Sequence, residues 1–479
     1  MSVSIESKAV RIGAIEHKAN LVDSITQFNS IIEFIREKGY IPLIHDAKQK
    51  FLNVIAGAEV HQTNNYDVSL EDKSVLFDYR LRRPIHSSSV FGEEISSPFA
   101  GDLFLSDNKN GILYLALFLR ASPSTQNIGR IQNELLIGVG YIGEDNPSEC
   151  LNYFIKFVEE ALSLQGITCE WISSQPANPR FLELTTNDNK IFTSASDIHA
   201  TDFELAKKLE DPFTRTIALI VKRSGGILAT DVFKKVNVGK ENVQAVISQL
   251  SEAELISKEY VIICRKSSNQ TNRVKSLEDL DKIAKMGLLC SCGKSISEER
   301  VEELFVPTSK LQKMLDKSYW LTVKLVEEIM KYNISADRIL LNLQEGSDEV
   351  DAFVDLDGAL LMFELKDTQF SMGHAYPFGG RIGLYSPDFA IIVSTEQIEQ
   401  QVKDYFIRVK PGAEIAYVDT LDQLRPELSQ ITSRIRSLRA VQLFSMFDPM
   451  ANLDLSHILS KKMNINISKL RDYRRKRSM

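Results

Sequence analysis

The sequence predicts a multidomain α/β protein, on three observations. At 479 residues the chain is long enough for about three domains, each with ample core. Apolar content of 43% and charged content of 25% are those of an ordinary globular protein. Short period-two apolar runs alternate with segments of helical periodicity along most of the chain. The longest apolar run, Ile112–Leu119, is too short to span a bilayer. No charged-then-apolar leader opens the chain, so an unsecreted, cytoplasmic protein with no membrane partner is expected. A net charge of −7 does not advertise nucleic-acid binding, although local basic patches do not require a basic whole.

Residues 1–203 read as an N-terminal mixed α/β domain with a recognition or regulatory role. Asn20–Lys38 and Cys150–Gln165 are amphipathic helices; Ile112–Leu119, Glu134–Tyr141 and Arg180–Leu184 read as strands. Ser122-Pro123-Ser124 and Ser174–Pro179 are loops, and polar Asn187–Asp202 reads as a linker. His17, Asp23 and His45 fit no ligand-spacing motif.

Residues 204–270 change to short helices. Phe213–Arg223 turns Ile217, Ile220 and Val221 to one face and ends at Gly225-Gly226. Thr230 can cap a second helix through Val236, and Asn237-Val238-Gly239 makes a tight turn. Lys240–Glu254 is a third helix with Val243, Val246, Ile247 and Leu250 inward, and Leu255–Cys264 supplies a strand. Three helices, a glycine turn and a trailing β-element resemble a winged helix-turn-helix domain. The resemblance implies that the third helix enters the major groove of DNA. Its outward residues would be Lys240, Asn242, Gln244 and Ser248, types that reach base edges and phosphates. The same fold also serves as a protein-docking module, and Glu241 and Glu254 beside few cations keep that reading open.

Residues 271–308 form a connector, with two charged, helical pieces around Cys290-Ser291-Cys292-Gly293. Five cysteines are too few and too scattered for a disulfide scaffold. Cys264, Cys290 and Cys292 suggest a zinc ribbon that has lost a ligand, because structural Zn²⁺ wants four. Reduced, packed cysteines are the alternative.

Residues 309–425 carry the most informative stretch. Two period-two apolar runs, Glu349–Asp355 and Leu361–Lys366, flank Asp357-Gly358, the strongest short-range hairpin signal. A two-residue type I′ turn pairs Leu356 with Ala359 and sets Asp351 opposite Glu364 and Glu349 opposite Lys366. Cross-strand partners share a face with Cβ atoms roughly 4.5–5.5 Å apart. Val350, Ala352, Val354, Phe363 and Leu365 then face a core, and a one-residue slip would bury the charges instead. Two carboxylates on one strand pair suit a hard cation such as Mg²⁺ (or Mn²⁺), and a nearby lysine can orient or deprotonate an attacking water. The chemistry is metal-assisted phosphodiester hydrolysis. A surface hairpin with a charged, solvated outer face is the competing reading.

The order Asp, about a dozen residues, Glu-x-Lys resembles the active-site signature of the PD-(D/E)XK, or restriction-endonuclease-like, nuclease superfamily. The resemblance covers roughly Ser318–Thr395. It implies Asp351, Glu364 and the carbonyl of Leu365 as metal ligands and Lys366 as the catalytic lysine, on a restriction-endonuclease-like α/β core. The family often draws a further glutamate from the preceding helix. Here that helix is Tyr319–Tyr332, with Glu328 at the edge of its apolar stripe. Asp367–Tyr385 could hold the following helix, interrupted by Gly373, Pro377, Gly379 and Gly380, with Gln369 and His374 near the site. Phe389–Ser394 is a buried strand, Gln397–Phe406 a helix and Ile415–Val418 a strand. Val350 stands where the family's proline would precede Asp351.

Residues 426–479 close the chain. Leu424–Leu443 reads as a long basic helix, and the stretch from Lys461 carries eight basic residues against Asp472 alone. There are no repeats and no phosphate-loop glycine pattern. The expected function is a metal-dependent endonuclease acting on DNA, in restriction or phage defence, as a homodimer or with a protein partner. An RNA-directed nuclease and a non-catalytic DNA-binding or scaffold protein are the alternatives.

Overall fold

A computed structural model describes residues 4–11, 30–38, 98–108, 111–123, 131–143, 148–164, 170–173, 178–186, 190–236, 240–332, 334–346, 348–435, 457 and 460–461. The chain is mixed α/β with several sheets and divides into two compact units. One comprises Met1–Asn187, Asp355–Leu361 and Pro426–Met479; the other comprises Asp188–Val354 and Met362–Arg425. Among the described residues no helix is long and apolar enough to cross a membrane. His17, Asp23, His45 and most of the C-terminal tail lie outside the described residues.

The first unit is built on a five-stranded sheet in the order β2-β3-β4-β1-β5, from β1 (Ser4–Arg11), β2 (Pro98–Asn108), β3 (Gly111–Pro123), β4 (Ile131–Gly143) and β5 (Glu170–Ser173). Its neighbours are antiparallel throughout. The two expected strands of this region are the cores of β3 and β4. Ser122 and Pro123, expected in a loop, extend β3 opposite Gln132 and Ile131. Helix α1 (30–37) buries Ile31, Ile32 and Ile35, and helix α2 (Ser148–Ser163) buries Ile155, Val158 and Leu162.

Arg180–Leu184 is not a strand but lies in helix α3 (Pro179–Thr186). The alternation in Phe-Leu-Glu-Leu also satisfies i,i+3 spacing, and Phe181 and Leu184 are the residues buried. Asn178 decides it locally: its Oδ1 accepts from Arg180 N at 2.9 Å and Phe181 N at 3.4 Å, with Pro179 fixing the first turn.

The second unit holds a six-stranded sheet in the order β15-β14-β13-β12-β11-β6. Its strands are β6 (Ile191–Ser194), β11 (Ile339–Glu345), β12 (Asp348–Leu356), β13 (Ala359–Lys366), β14 (Phe389–Ser394) and β15 (Glu414–Val418). The supposed linker Asn187–Asp202 therefore contains an edge strand: β6 pairs antiparallel with β11, Leu340 opposite Ser194 and Gln344 opposite Ile191. Four residues with one exposed isoleucine carry too little periodicity to announce a strand. Helix α4 (Ala200–Lys208) follows directly, so the boundary expected at 203 falls inside a helix. Its Asp202 accepts from Lys313 Nζ at 2.8 Å and Tyr319 OH at 3.1 Å.

Helices α5 (Pro212–Ser224), α6 (Ala229–Lys235) and α7 (Lys240–Glu252) come next. With them runs a four-stranded antiparallel sheet, β7-β10-β8-β9, from β7 (Ile227–Leu228), β8 (Ile256–Ile263), β9 (Gln270–Val274) and β10 (Arg300–Pro307). The 270/271 boundary cuts this sheet, because β10, one of its two inner strands, lies in the supposed connector. The first helical piece expected there is helix α8 (Leu277–Lys285), but the second is β10, whose Leu304 and Phe305 are buried. Thr230 does not cap α6. It sits inside the helix and donates to Glu302 Oε2 at 3.3 Å.

Helix α9 (Ser309–Leu315) leads to helix α10 (Tyr319–Met330), which buries Leu321, Leu325, Val326 and Ile329 as its periodicity requires. After β13, helix α11 (Met372–Tyr385) runs through Gly373, Pro377, Gly379 and Gly380 without a break. Gly379 has a reason: a Cβ there would meet the Tyr405 hydroxyl at 3.2 Å. Helix α12 (Gln400–Val409) starts three residues later than its sequence suggested.

Candidate functional site

The β12–β13 hairpin has the turn its sequence demands. Asp357 and Gly358 alone separate the strands and both have positive φ, 49° and 77°, as type I′ requires. Asp355 Oδ1 accepts from Gly358 N at 3.0 Å and steadies the turn. Val350, Ala352, Val354, Phe363 and Leu365 are buried.

Three charged side chains converge further down the hairpin. Lys366 Nζ lies 3.0 Å from Glu364 Oε1 and 3.9 Å from Asp351 Oδ2. Leu365 N donates to the same Asp351 Oδ2 at 2.6 Å. These are not the charges of a solvated face: the side chains of Asp351, Glu364 and Lys366 are 18%, 3% and 29% exposed. Burial, with the Glu364 charge adding to it, pushes the Asp351 carboxyl up to about 6.

Sequence reasoning missed a second cation. Arg381, from α11, donates from Nη1 to Glu364 Oε2 at 2.7 Å and to the Glu349 carbonyl at 2.5 Å. Glu364 is therefore held between Lys366 and Arg381, one on each oxygen. The Glu349 carboxylate, expected opposite Lys366, is instead bound by Lys317 at 2.9 and 3.1 Å.

Glu328, expected from the preceding helix, sits among three cations. Its buried carboxylate is bound by Lys331 at 2.7 Å, Arg425 at 3.1 Å and Lys324 at 3.2 Å. It does not join Asp351 and Glu364 in a three-donor cluster among the described residues. These cations outweigh its burial and hold it at about 2.

Asp367, the residue after Lys366, is partly buried and tied down. It accepts from Trp320 Nε1 at 2.8 Å and Thr395 Oγ1 at 2.9 Å and pairs with Arg215 Nε at 2.9 Å. Arg215 comes from α5, stacks 4.7 Å over the Trp320 ring and donates to the Leu209 and Glu210 carbonyls. The backbone that presents Lys366 is thus clamped from outside the sheet. His374 Nδ1 accepts from Ser371 N at 3.2 Å; burial, then Lys366, lowers its pKa. Gln369 is exposed.

On α7, Asn242, Gln244 and Ser248 are exposed and Val243, Val246, Ile247 and Leu250 are buried; the Lys240 side chain lies outside the described residues. Cys264, Cys290 and Cys292 come together with Glu299, all four ligand atoms lying within 4.8 Å of one another.

No protein-family model matches the chain, and no curated protein matches it. One similar solved structure is that of protein VC1899 from Vibrio cholerae, 15% identical with a TM-score of 0.30. The match covers 55% of this chain and 63% of that one, less than two thirds of its length. A likeness that distant establishes neither family nor activity.

Proposed function

We propose that this chain is a metal-dependent nuclease that hydrolyses DNA phosphodiester bonds. The observation that carries the reading is the convergence of Lys366 on two shielded carboxylates, 3.0 Å from Glu364 and 3.9 Å from Asp351. Asp351 and Glu364, with the carbonyl of Leu365, would hold Mg²⁺ or Mn²⁺. The donor set fits: all are oxygen ligands, and both Asp351 contacts fall on Oδ2, so neither engages Oδ1. When bound, the ion supplies charge neutralisation at phosphorus and acidifies a ligated water. Lys366, no longer needed by Glu364, would orient that water. Arg381, on the other Glu364 oxygen, would face the phosphate charge. The exposed α7 residues Asn242, Gln244 and Ser248, with Lys240, would contact the duplex.

A second reading draws on the same contacts. Glu364 already has a cation on each oxygen, which is also how a purely structural ion cluster in a DNA-binding or scaffold protein would look. Cleavage of plasmid DNA, single-stranded DNA and RNA in Mg²⁺ or Mn²⁺ separates the two. The wild type should cut DNA only with metal, and Lys366→Ala should lower the rate by about 10²–10⁴ with binding retained. Equal, metal-independent behaviour of both proteins would leave the scaffold reading standing. Preferential loss of RNA would redirect the substrate to RNA.

A further inference from the structure

We propose that Cys264, Cys290, Cys292 and Glu299 bind one structural Zn²⁺, a site independent of the proposed nuclease centre. Strand register explains the meeting of Cys264 and Glu299. In the β8–β10 ladder Arg300 pairs with Ile263, Val301 with Ile262 and so on to Pro307 with Ile256. One step beyond its end, the same antiparallel register sets Glu299 against Cys264. The contact is made there: Arg265 N donates to Glu299 Oε2 at 2.6 Å.

The other two donors arrive on a knuckle. Leu289 bridges Ser295, Cys290 N donates to the Lys294 carbonyl at 2.8 Å, and Gly293 N donates to the Cys290 carbonyl at 2.8 Å. Gly293 at φ 88° makes so tight a reversal accessible. A second reversal sits at Cys264, whose carbonyl accepts from Ser268 N at 2.8 Å while its N–H donates to the Asn269 carbonyl at 2.9 Å. Two tight turns and a strand end thus aim three sulfurs and one carboxylate at a single point.

The donors are too polar and too crowded to be an ordinary core. Cys264, Cys290 and Glu299 are buried, all three thiols are unbridged, and Cys292 Sγ donates to Glu299 Oε1 at 2.9 Å. Around a tetrahedral Zn²⁺ with Zn–S of about 2.3 Å, ligand atoms sit about 3.7 Å apart, so the widest pair must close from within 4.8 Å and the 2.9 Å Cys292–Glu299 pair must open, each by about 1 Å. Three thiolates and a carboxylate carry the same formal charge as a four-cysteine site, and their softness selects Zn²⁺ over Mg²⁺. The ion would pin the tip of the β8–β9 hairpin and the knuckle to the start of β10, closing the long excursion between β9 and β10.

The test is metal content and direct titration of the full chain. Protein purified under reducing conditions with added zinc, then freed of loose metal, should hold one zinc per chain. Reduced apoprotein titrated with Co²⁺ should develop thiolate-to-cobalt charge-transfer absorption, which carboxylate-bound Co²⁺ at Asp351 and Glu364 cannot give. Glu299→Gln should weaken binding by at least about tenfold, the loss that even an outer-sphere partner causes. Glu299→Cys should restore it. Wild-type protein with no stoichiometric zinc and no charge-transfer band would overturn the site. Undiminished affinity in Glu299→Gln would overturn the four-ligand set. Because the wild-type titration stands alone, misfolding of a variant cannot shelter the proposal.

Discussion

The Asp351 carboxyl sits in a very different environment in the folded protein and in the unfolded chain. Burial and the neighbouring Glu364 hold its proton to about pH 6, against an ordinary value of 3.8. Across that window the folded protein binds more protons than the unfolded one, so stability falls as pH rises from 3.8 through about 6. Asp351→Asn has no proton to lose and should not show that decline. In chelator, the unfolding temperature of Asp351→Asn should equal or trail wild type near pH 4 and exceed it above pH 6. The gain should be roughly 2–4 °C per kcal/mol recovered. A difference between the two proteins that stays flat with pH would show that the carboxyl is not under this strain. The same balance explains why the aspartate wants a cation: above pH 6 its charge sits beside that of Glu364, offset in part by Lys366, Arg381 and one N–H.

At the scale of elements, the hairpin was legible because two independent signals agreed. Asp357-Gly358 specified the turn, and period-two patterning put the apolar residues on one side. Arg381 was illegible because the glycines of α11 looked like breaks, and Glu299 because only the strand register brings it to Cys264. Helix α3 is signalled only by its Asn178-Pro179 start, because its Phe-Leu-Glu-Leu run fits a strand equally well. Asn178 also donates from Nδ2 to the Gly358 carbonyl at 2.9 Å, and its N–H to Asp355 Oδ2 at 2.9 Å. One side chain therefore starts a helix and braces the hairpin turn. Asn178→Ala should remove the cap and leave a buried carbonyl unmatched, at a cost of about 1–3 kcal/mol. Urea denaturation monitored by circular dichroism measures it. A loss within about 0.5 kcal/mol, the range of an ordinary surface change, would mean the turn holds without Asn178.

At the scale of the molecule, the sequence divided the chain where its patterning changed, whereas the strands divide it elsewhere. The stretch read as a nuclease domain, 309–425, makes contacts with earlier parts of its unit. Its edge strand β11 is paired by β6, which precedes the helical region, and α9 and α10 rest on α4 where Lys313 and Tyr319 bind Asp202. Asp367 is paired with Arg215 of α5, so removing the helices would leave a largely shielded carboxylate without its cation, a destabilising loss. An exposed β11 would also present unpaired backbone groups to other copies. A fragment of residues 188–425 should therefore be monomeric and unfold cooperatively, whereas 309–425 should aggregate or lack near-ultraviolet circular dichroism. Size-exclusion chromatography and thermal scans of both fragments decide it. A well-folded, monomeric 309–425 would show that β6, α4 and Arg215 are accessories to the site, and that the boundary that patterning places at 309 marks a real domain.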